Sequence, residues 1–398
     1  MPGADAYNPL FRTRPAMTPP FASSPLLHRL AAIAGFLVAL AVSAFAMAAA
    51  LMYFWVLPNI AEHRDTVASL LSRALGQQVT IEAVSGKWQQ ARPEFRLQGV
   101  RLYDRQGRLA LDLPELEAAF AWRSLLFLEP RFHNIELEGL TLAVRRARDG
   151  HYYVGGIPVD PADPSSRFSS WILRQGNVHV GRATLVWLDE VRNAPPLQLR
   201  AVDLRIDNAR RTHRLELRAM PPAELARPVT VRATLTARDV ENLHTWNGTV
   251  EVEVSGVAFP RLTQWMTHPY LPRGGWGALR TRFDIREGVL GGLGADMDLR
   301  DVEFALDADL PAMRLARVRG QASWQHGADG QRVALESLRV ALPGGAVSAP
   351  FDLGAAWNAS ARELTARALR LGGWQTLLPS LPMDAELRTR LVALQPRG

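Results

Sequence analysis

Val229-Thr230-Val231-Arg232-Ala233-Thr234-Leu235 and, further on, Val250-Glu251-Val252-Glu253-Val254 alternate apolar and polar side chains with a period of two. Successive side chains of a β-strand point to opposite faces, so each stretch reads as a strand with one apolar face and one wet face. The rhythm recurs at Phe95 and Leu97, Leu109 to Leu113, Ile135 and Leu137, Leu140 to Val144, Leu215 to Ala219, Phe283 to Ile285 and Val302 to Leu310. Turn-forming clusters such as Asp104-Arg105-Gln106-Gly107 and Arg148-Asp149-Gly150 separate these runs, and Asn247-Gly248 adds an Asn-Gly turn signal. Together they predict a mainly β protein built as an antiparallel meander.

Helical signals are few. Arg64 to Leu75 places Val67, Leu70, Leu71 and Leu75 on one face and is followed by Gly76 as a stop. Asp384 to Leu394 forms a second such stretch, and Pro260 to Met266 and Trp374 to Leu378 fit single turns. That is too little helix to cover so long a sheet, yet an apolar sheet face has to be covered. A second sheet folded back as a sandwich is one answer, and an open sheet lined by lipid acyl chains is the other. Both give the same alternation, so periodicity does not choose between them.

No formal charge occurs between Arg29 and Glu62, and Leu30 to Leu57 is an almost unbroken apolar run. As a helix it is about 40 Å long, enough to span a hydrocarbon core of ~30 Å with tilt. It exceeds the apolar core of a cleaved leader, so an uncleaved anchor is favoured even though Ala44-Phe45-Ala46 has a small-x-small look. Arg12, Arg14, His28 and Arg29 precede the run and the mixed Glu62-His63-Arg64-Asp65 follows it, which predicts a cytoplasmic N-terminus. The bulk of the chain is then periplasmic if the host membrane is a Gram-negative inner membrane. Residues 1–29 read as a proline-containing, disordered tail, residues 30–57 as the span, 60–158 as a first exported block and 171–398 as an all-strand block, with the Pro-, Asp- and Ser-rich Pro158 to Ser170 as the junction. Ile135 to Leu140 and Gly176 to Val180 show a weak mutual similarity.

The chain has 398 residues, a net charge of +7 and no cysteine. Disulfides and thiolate metal sites are therefore excluded. Lys87 is the sole lysine, and the arginines are scattered among Asp, Glu and apolar residues, which argues against nucleic-acid binding. The nine histidines show no metal-ligand spacing. Ser85 and Lys87 have the spacing of a Ser-Lys pair, but Gly86 between them points to a turn. Gly288, Gly291, Gly292 and Gly294 miss the dinucleotide fingerprint and read as a hairpin turn. Trp88, Trp122, Trp171, Trp187 and Trp246 fit strand packing better than carbohydrate stacking. No catalytic, cofactor-binding or metal-ligating residues are expected.

The anchor, the helix ending Arg73-Ala74-Leu75-Gly76-Gln77-Gln78-Val79, Gly86-Lys87-Trp88 and Phe95-Arg96-Leu97-Gln98-Gly99-Val100-Arg101-Leu102 together resemble the AsmA-like proteins, most closely their YhdP branch. Ser124-Leu125-Leu126, Gly150-His151-Tyr152-Tyr153-Val154-Gly155-Gly156-Ile157 and Ala183-Thr184-Leu185-Val186-Trp187-Leu188-Asp189 continue the same order. The resemblance implies a single-pass inner-membrane protein whose curved, trough-like β-sheet conducts phospholipids toward the outer membrane. It also implies a longer protein, of which this chain is the membrane-proximal portion. Val250, Val252, Val254, Phe283, Phe304 and Leu306 are then the lining positions for acyl chains, although in a sandwich they would be core. The alternative function is a structural or assembly factor that offers sheet edges to outer-membrane or other envelope proteins.

Overall fold

The computed structural model describes residues 25–75, 78–89, 92–103, 107, 109–122, 124, 131–159, 172–266, 272–305, 310–327, 330–345, 347–358, 361–368 and 380. Leu306, the proposed helix Asp384 to Leu394, the turn Trp374 to Leu378 and residues 160–170 of the junction lie outside them. By internal contacts the chain forms two units, Met1–Val56 and Leu57–Gly398.

The first unit holds α1 (Pro25–Leu51) and a π-helical turn, Met52–Val56. Phe36, Val38, Met47 and Phe54 are each more than 60% exposed, so the helix offers apolar side chains to its surroundings instead of to a protein core. Among the described residues one helix, Ile33–Arg73, is long and apolar enough to cross a membrane, with a mean hydropathy of 2.3 over its most apolar window.

The second unit opens with α2 (Leu57–Asn59), a 3-10 turn Ile60–His63 and α3 (Arg64–Leu75), the last with the bounds its periodicity predicts. There follow β1 (Gln78–Thr80), β2 (Ala83–Gln89), β3 (Arg92–Tyr103), β4 (Leu109–Phe120), β5 (Phe132–Glu138), β6 (Thr141–Arg146), β7 (Tyr152–Val154), β8 (Ile157–Val159), β9 (Asn177–Asp189) and β10 (Leu197–Ala209). Next come β11 (Thr212–Met220), β12 (Val229–Thr236), β13 (Asn247–Ala258), the one-turn α4 (Phe259–Leu262), β14 (Gly274–Arg286), β15 (Val289–Phe304), β16 (Met313–Gly327), β17 (Gly330–Ala341), β18 (Phe351–Trp357) and β19 (Arg362–Arg367).

All of these strands join one curved sheet, and strand makes up more than half of the described residues. From β9 to β19 each strand runs antiparallel to the next. β1 and β2 lie end to end along β3, and β5 and β6 lie end to end beside β4. One seam departs from the meander: β5 and β6 pair with β9 in parallel. A parallel pair needs a crossover of a dozen or more residues, and the chain from Ala147 to Gly176 supplies it. The two similar stretches in the sequence are neighbours across this seam, with Ile135 opposite Val178 and Leu137 opposite Val180.

Register shifts interrupt the ladders between β9 and β10, β13 and β14, β16 and β17, and β17 and β18. Left-handed residues sit at these shifts: Arg182 (φ 51°), Ala201 (φ 46°), Gly256 (φ 62°) and Ser337 (φ 51°). A bulge bends its strand and increases the local twist, which accounts for the curvature.

Three expectations of local structure need correction. Ser85, Gly86 and Lys87 lie within β2, not in a turn. Gly86 is there because a Cβ would come within 3.2 Å of Leu57 Cγ, so a helix packs against it. Asn247-Gly248 opens β13 instead of turning a hairpin, with Gly248 opposite Leu235. Residues 237–246 make that connection, and a side chain on Gly248 would collide with the Thr234 carbonyl. The glycine cluster divides likewise: Gly288 sits in the β14–β15 turn at φ 76°, whereas Gly291, Gly292 and Gly294 are inside β15. Arg148-Asp149-Gly150 is a turn as expected.

Buried side chains form two clusters. The first gathers Val84, Leu97, Val100, Leu102, Val180 and Val202, with Ile60, Val67, Ala68 and Leu71 from the helical segment packed on it. The second gathers Phe259, Val302, Met313, Leu315, Val318, Val340 and Phe351, so that α4 packs against β15 to β18.

Candidate functional site

The registers join side chains of successive strands into rows that cross the sheet. One row begins Phe95, Ala118, Ile135, Val178, Ile206, Leu215, Ala233. It continues Val250, Phe283, Leu293, Trp324, Val333, Ala355, Leu364. Every member is apolar. Two residues along each strand a second row starts Val84, Leu97, Leu116, Leu137, Val180, Leu204, Leu217, Val231. It goes on through Val252, Thr281, Ala295, Ala322, Leu335, Leu353 and Ala366, with Thr281 its one polar member.

Between the two rows, on the opposite face, runs a row of charged and ionisable residues of both signs: Arg96, Glu117, Glu136, His179, Arg205, Glu216, Arg232, Glu251, Arg282. Ion pairs cross the strands here, Arg96 with Glu117, Arg282 with Glu251 at 3.3 Å and, one step along, Arg280 with Glu253 at 3.0 Å. Arg317 donates two hydrogen bonds to Asp298, at 3.0 and 2.7 Å, and these hold the Asp298 carboxyl below the usual carboxylate range. Two open hollows of about 590 and 550 Å³ lie over this charged face between β12 and β17. Each hollow is lined by arginines and carboxylates together, some of them paired with one another, so neither presents one sign of charge to a ligand.

The apolar face differs in what covers it. In a sandwich its middle would be sealed. In the β12 to β16 stretch, however, Val231, Val250, Val252, Phe283, Leu293, Ala295, Ala322 and Trp324 are all half-buried, and Ala233 alone of the two rows is buried there. None of these residues belongs to either core cluster. The side chains shelter one another across strands, and among the described residues no second layer lies over them.

Of the lining positions read from sequence, Val250 and Phe283 fall on the first row and Val252 on the second. Val254 lies one step further and packs against the second core cluster. Phe304 ends β15 opposite Met313. Leu215, Leu293, Trp324 and Val333 also line the face. Leu215 belongs to an alternating run read from the sequence, whereas Leu293, Trp324 and Val333 do not, and only the register shows that the four share a row.

Among the described residues no group of His, Asp or Glu is arranged to hold a metal ion. Lys87 pairs with Glu94 at 2.9 Å on the charged face. Trp88 packs on Trp122 with ring centroids 5.8 Å apart, and Trp187 on Tyr152 at 6.2 Å, so these aromatics pack against one another. His213 is buried in a stack with Trp246 at 5.2 Å, and its Nδ1 bonds Asn208 Oδ1 at 2.7 Å. Burial pushes the His213 imidazole below its ordinary pKa.

The profile of a family described as YhdP protein matches residues 17–398, covering the apolar helix and the whole sheet. The chain belongs to the YhdP family. A search of curated proteins and a search of solved structures each found no match. In this YhdP-family chain the open apolar rows are therefore the candidate functional surface, and the N-terminal helix has the length and composition of a membrane anchor.

Proposed function

We propose that the chain is an inner-membrane-anchored periplasmic module that conducts phospholipids toward the outer membrane along the apolar rows of its sheet. The observation that carries this reading is a pair of neighbouring rows, apolar but for Thr281, that no described residue covers where they cross β12 to β16. Acyl chains complete the missing layer while headgroups stay in water. About ten methylenes in one-sided contact, at roughly half the ~0.8 kcal/mol of full burial, stabilise such a chain by about 4 kcal/mol. That is enough to hold a lipid and weak enough to let it move on. The mechanism is passive and non-enzymatic, and direction is set by other components. Membership of the YhdP family and the apolar helix, with Arg12, Arg14, His28 and Arg29 before it, support the placement.

Native mass spectrometry of the detergent-extracted protein tests the reading. Co-purifying phospholipid is the expected result. Lipid-free protein whose Val250 and Phe283 amides and side chains are as protected as those of Leu97 would refute it.

A second reading, an assembly factor that adds a partner strand to its sheet edge, draws on β19. Among the described strands it pairs with β18 alone, and its Leu364 is 85% exposed. Crosslinking from Leu364 separates the two, because protein adducts in excess of lipid adducts favour the assembly role.

A further inference from the structure

We infer that the helical segment α2 to α3 is a cap that closes the first strands of the apolar face, so that acyl chains first meet the protein at about β12. The inference rests on the lipid reading and specifies where on that surface the ligand sits.

The two rows cross strands β3 to β19, but their surroundings change along the way. In the second row Val84, Leu97 and Val180 are buried at 4%, 8% and 8% exposure, and Leu116 and Leu137 pack against them. Ile60, Val67, Ala68 and Leu71 lie on this same cluster, so the helical segment supplies here a cover that no described residue supplies further on. Leu204 and Leu217 are the last members of the row to touch the cluster. From Val231 the row belongs to neither cluster until Leu335, which packs against the second core.

The cap is seated, not loosely draped. Leu57 is 6% exposed and fills the space over Gly86, where even a methyl group would come within 3.2 Å of it. Ser72 Oγ accepts a hydrogen bond from the Val79 amide at 2.9 Å, and Arg64 donates to the Glu82 carbonyl at 3.3 Å. An acyl chain in the β12 to β16 window that slid toward β2 would thus run into packed side chains. The first strands are structural foundation, and the loading position is lateral, beside the cap.

Photolabelling of the full chain tests this without altering it. The protein is incubated in phosphatidylglycerol and phosphatidylethanolamine vesicles containing a phospholipid with a diazirine on its acyl chain, irradiated, and its adducts mapped by peptide mass spectrometry. Adducts at Val231, Val250, Val252 and Phe283, with Leu97, Leu116 and Leu137 at background, are expected. Equal labelling of the two groups would overturn the cap while leaving the lipid reading standing. Labelling of the charged face alone, or none, would refute the lipid reading itself and the cap with it. In Leu71→Asp, checked for intact strand content by circular dichroism, labelling at Leu97 and Leu116 should rise from background to the level of the open strands. An unchanged pattern in that variant, with Ile60 and Val67 still packed, would show that something other than the cap excludes lipid.

Discussion

Leu97→Ala and Leu293→Ala remove the same three carbons from rows of the same sheet face, so their comparison isolates what covers that face. Full burial of those carbons is worth about 2.4 kcal/mol. Leu97 is 8% exposed inside the capped cluster, and shortening it leaves a cavity. The cavity adds about 1.5 to 2 kcal/mol, bringing the loss to about 4 kcal/mol. Leu293 is half-buried and belongs to no core cluster, so its truncation opens onto the exposed side of the sheet. No cavity forms there and part of the transfer term is already absent, which leaves a loss of about 1.5 kcal/mol. Urea unfolding of the delipidated, detergent-solubilised protein, followed by tryptophan fluorescence, measures both. Equal losses would mean that a second layer seals β15, and the open-face argument would fail.

Acid should weaken the fold through His213. Its folded pKa lies below the ordinary value because burial disfavours the imidazolium, whereas the unfolded chain takes up a proton below about pH 6.5. This contribution is complete above that pH and is lost as pH falls further, so Tm should drop between pH 7 and 5 and His213→Phe should flatten the drop. Gly86→Val should push against Leu57 and cost about 1 to 3 kcal/mol, read as a lower urea midpoint; an unchanged midpoint would mean the helical cap is not seated on β2.

Much of this fold was legible because its signals are local. Val229 to Leu235 and Val250 to Val254 became β12 and β13, facing each other with Val231 opposite Val252. Arg64–Leu75 was readable to the residue, since an amphipathic helix carries its own periodicity and stop. What escaped depends on distant neighbours. Gly86 looks like a turn residue until Leu57 is seen above it, and the Asn247-Gly248 pair signals a hairpin only if the preceding strand ends there. The left-handed Arg182, Ala201 and Ser337 carry no glycine or asparagine to announce them. The parallel seam was hinted at by the similarity of Ile135 to Leu140 and Gly176 to Val180, but resemblance between two strands does not say that they pair. Above all, alternation shows that a face is apolar and is silent about what lies on it.

A sheet this long has to draw its stability from somewhere other than a second layer. The ion pairs of the charged face are mostly exposed, and solvent screening leaves such pairs a minor source of stability. Their mixed signs keep that face soluble and in register more than they hold it together. The larger sources are the ladder hydrogen bonds, the side-to-side apolar contacts within each row, and the two clusters where α3 and α4 supply local cover. Where the two rows cross β12 to β16 they have the first two sources and, among the described residues, lack the third. That window is therefore the part of the sheet whose packing is least complete on its own, and the part where an added apolar layer removes the most surface from water. On the proposed lipid reading, the openness that admits an acyl chain also makes the sheet gain from holding one.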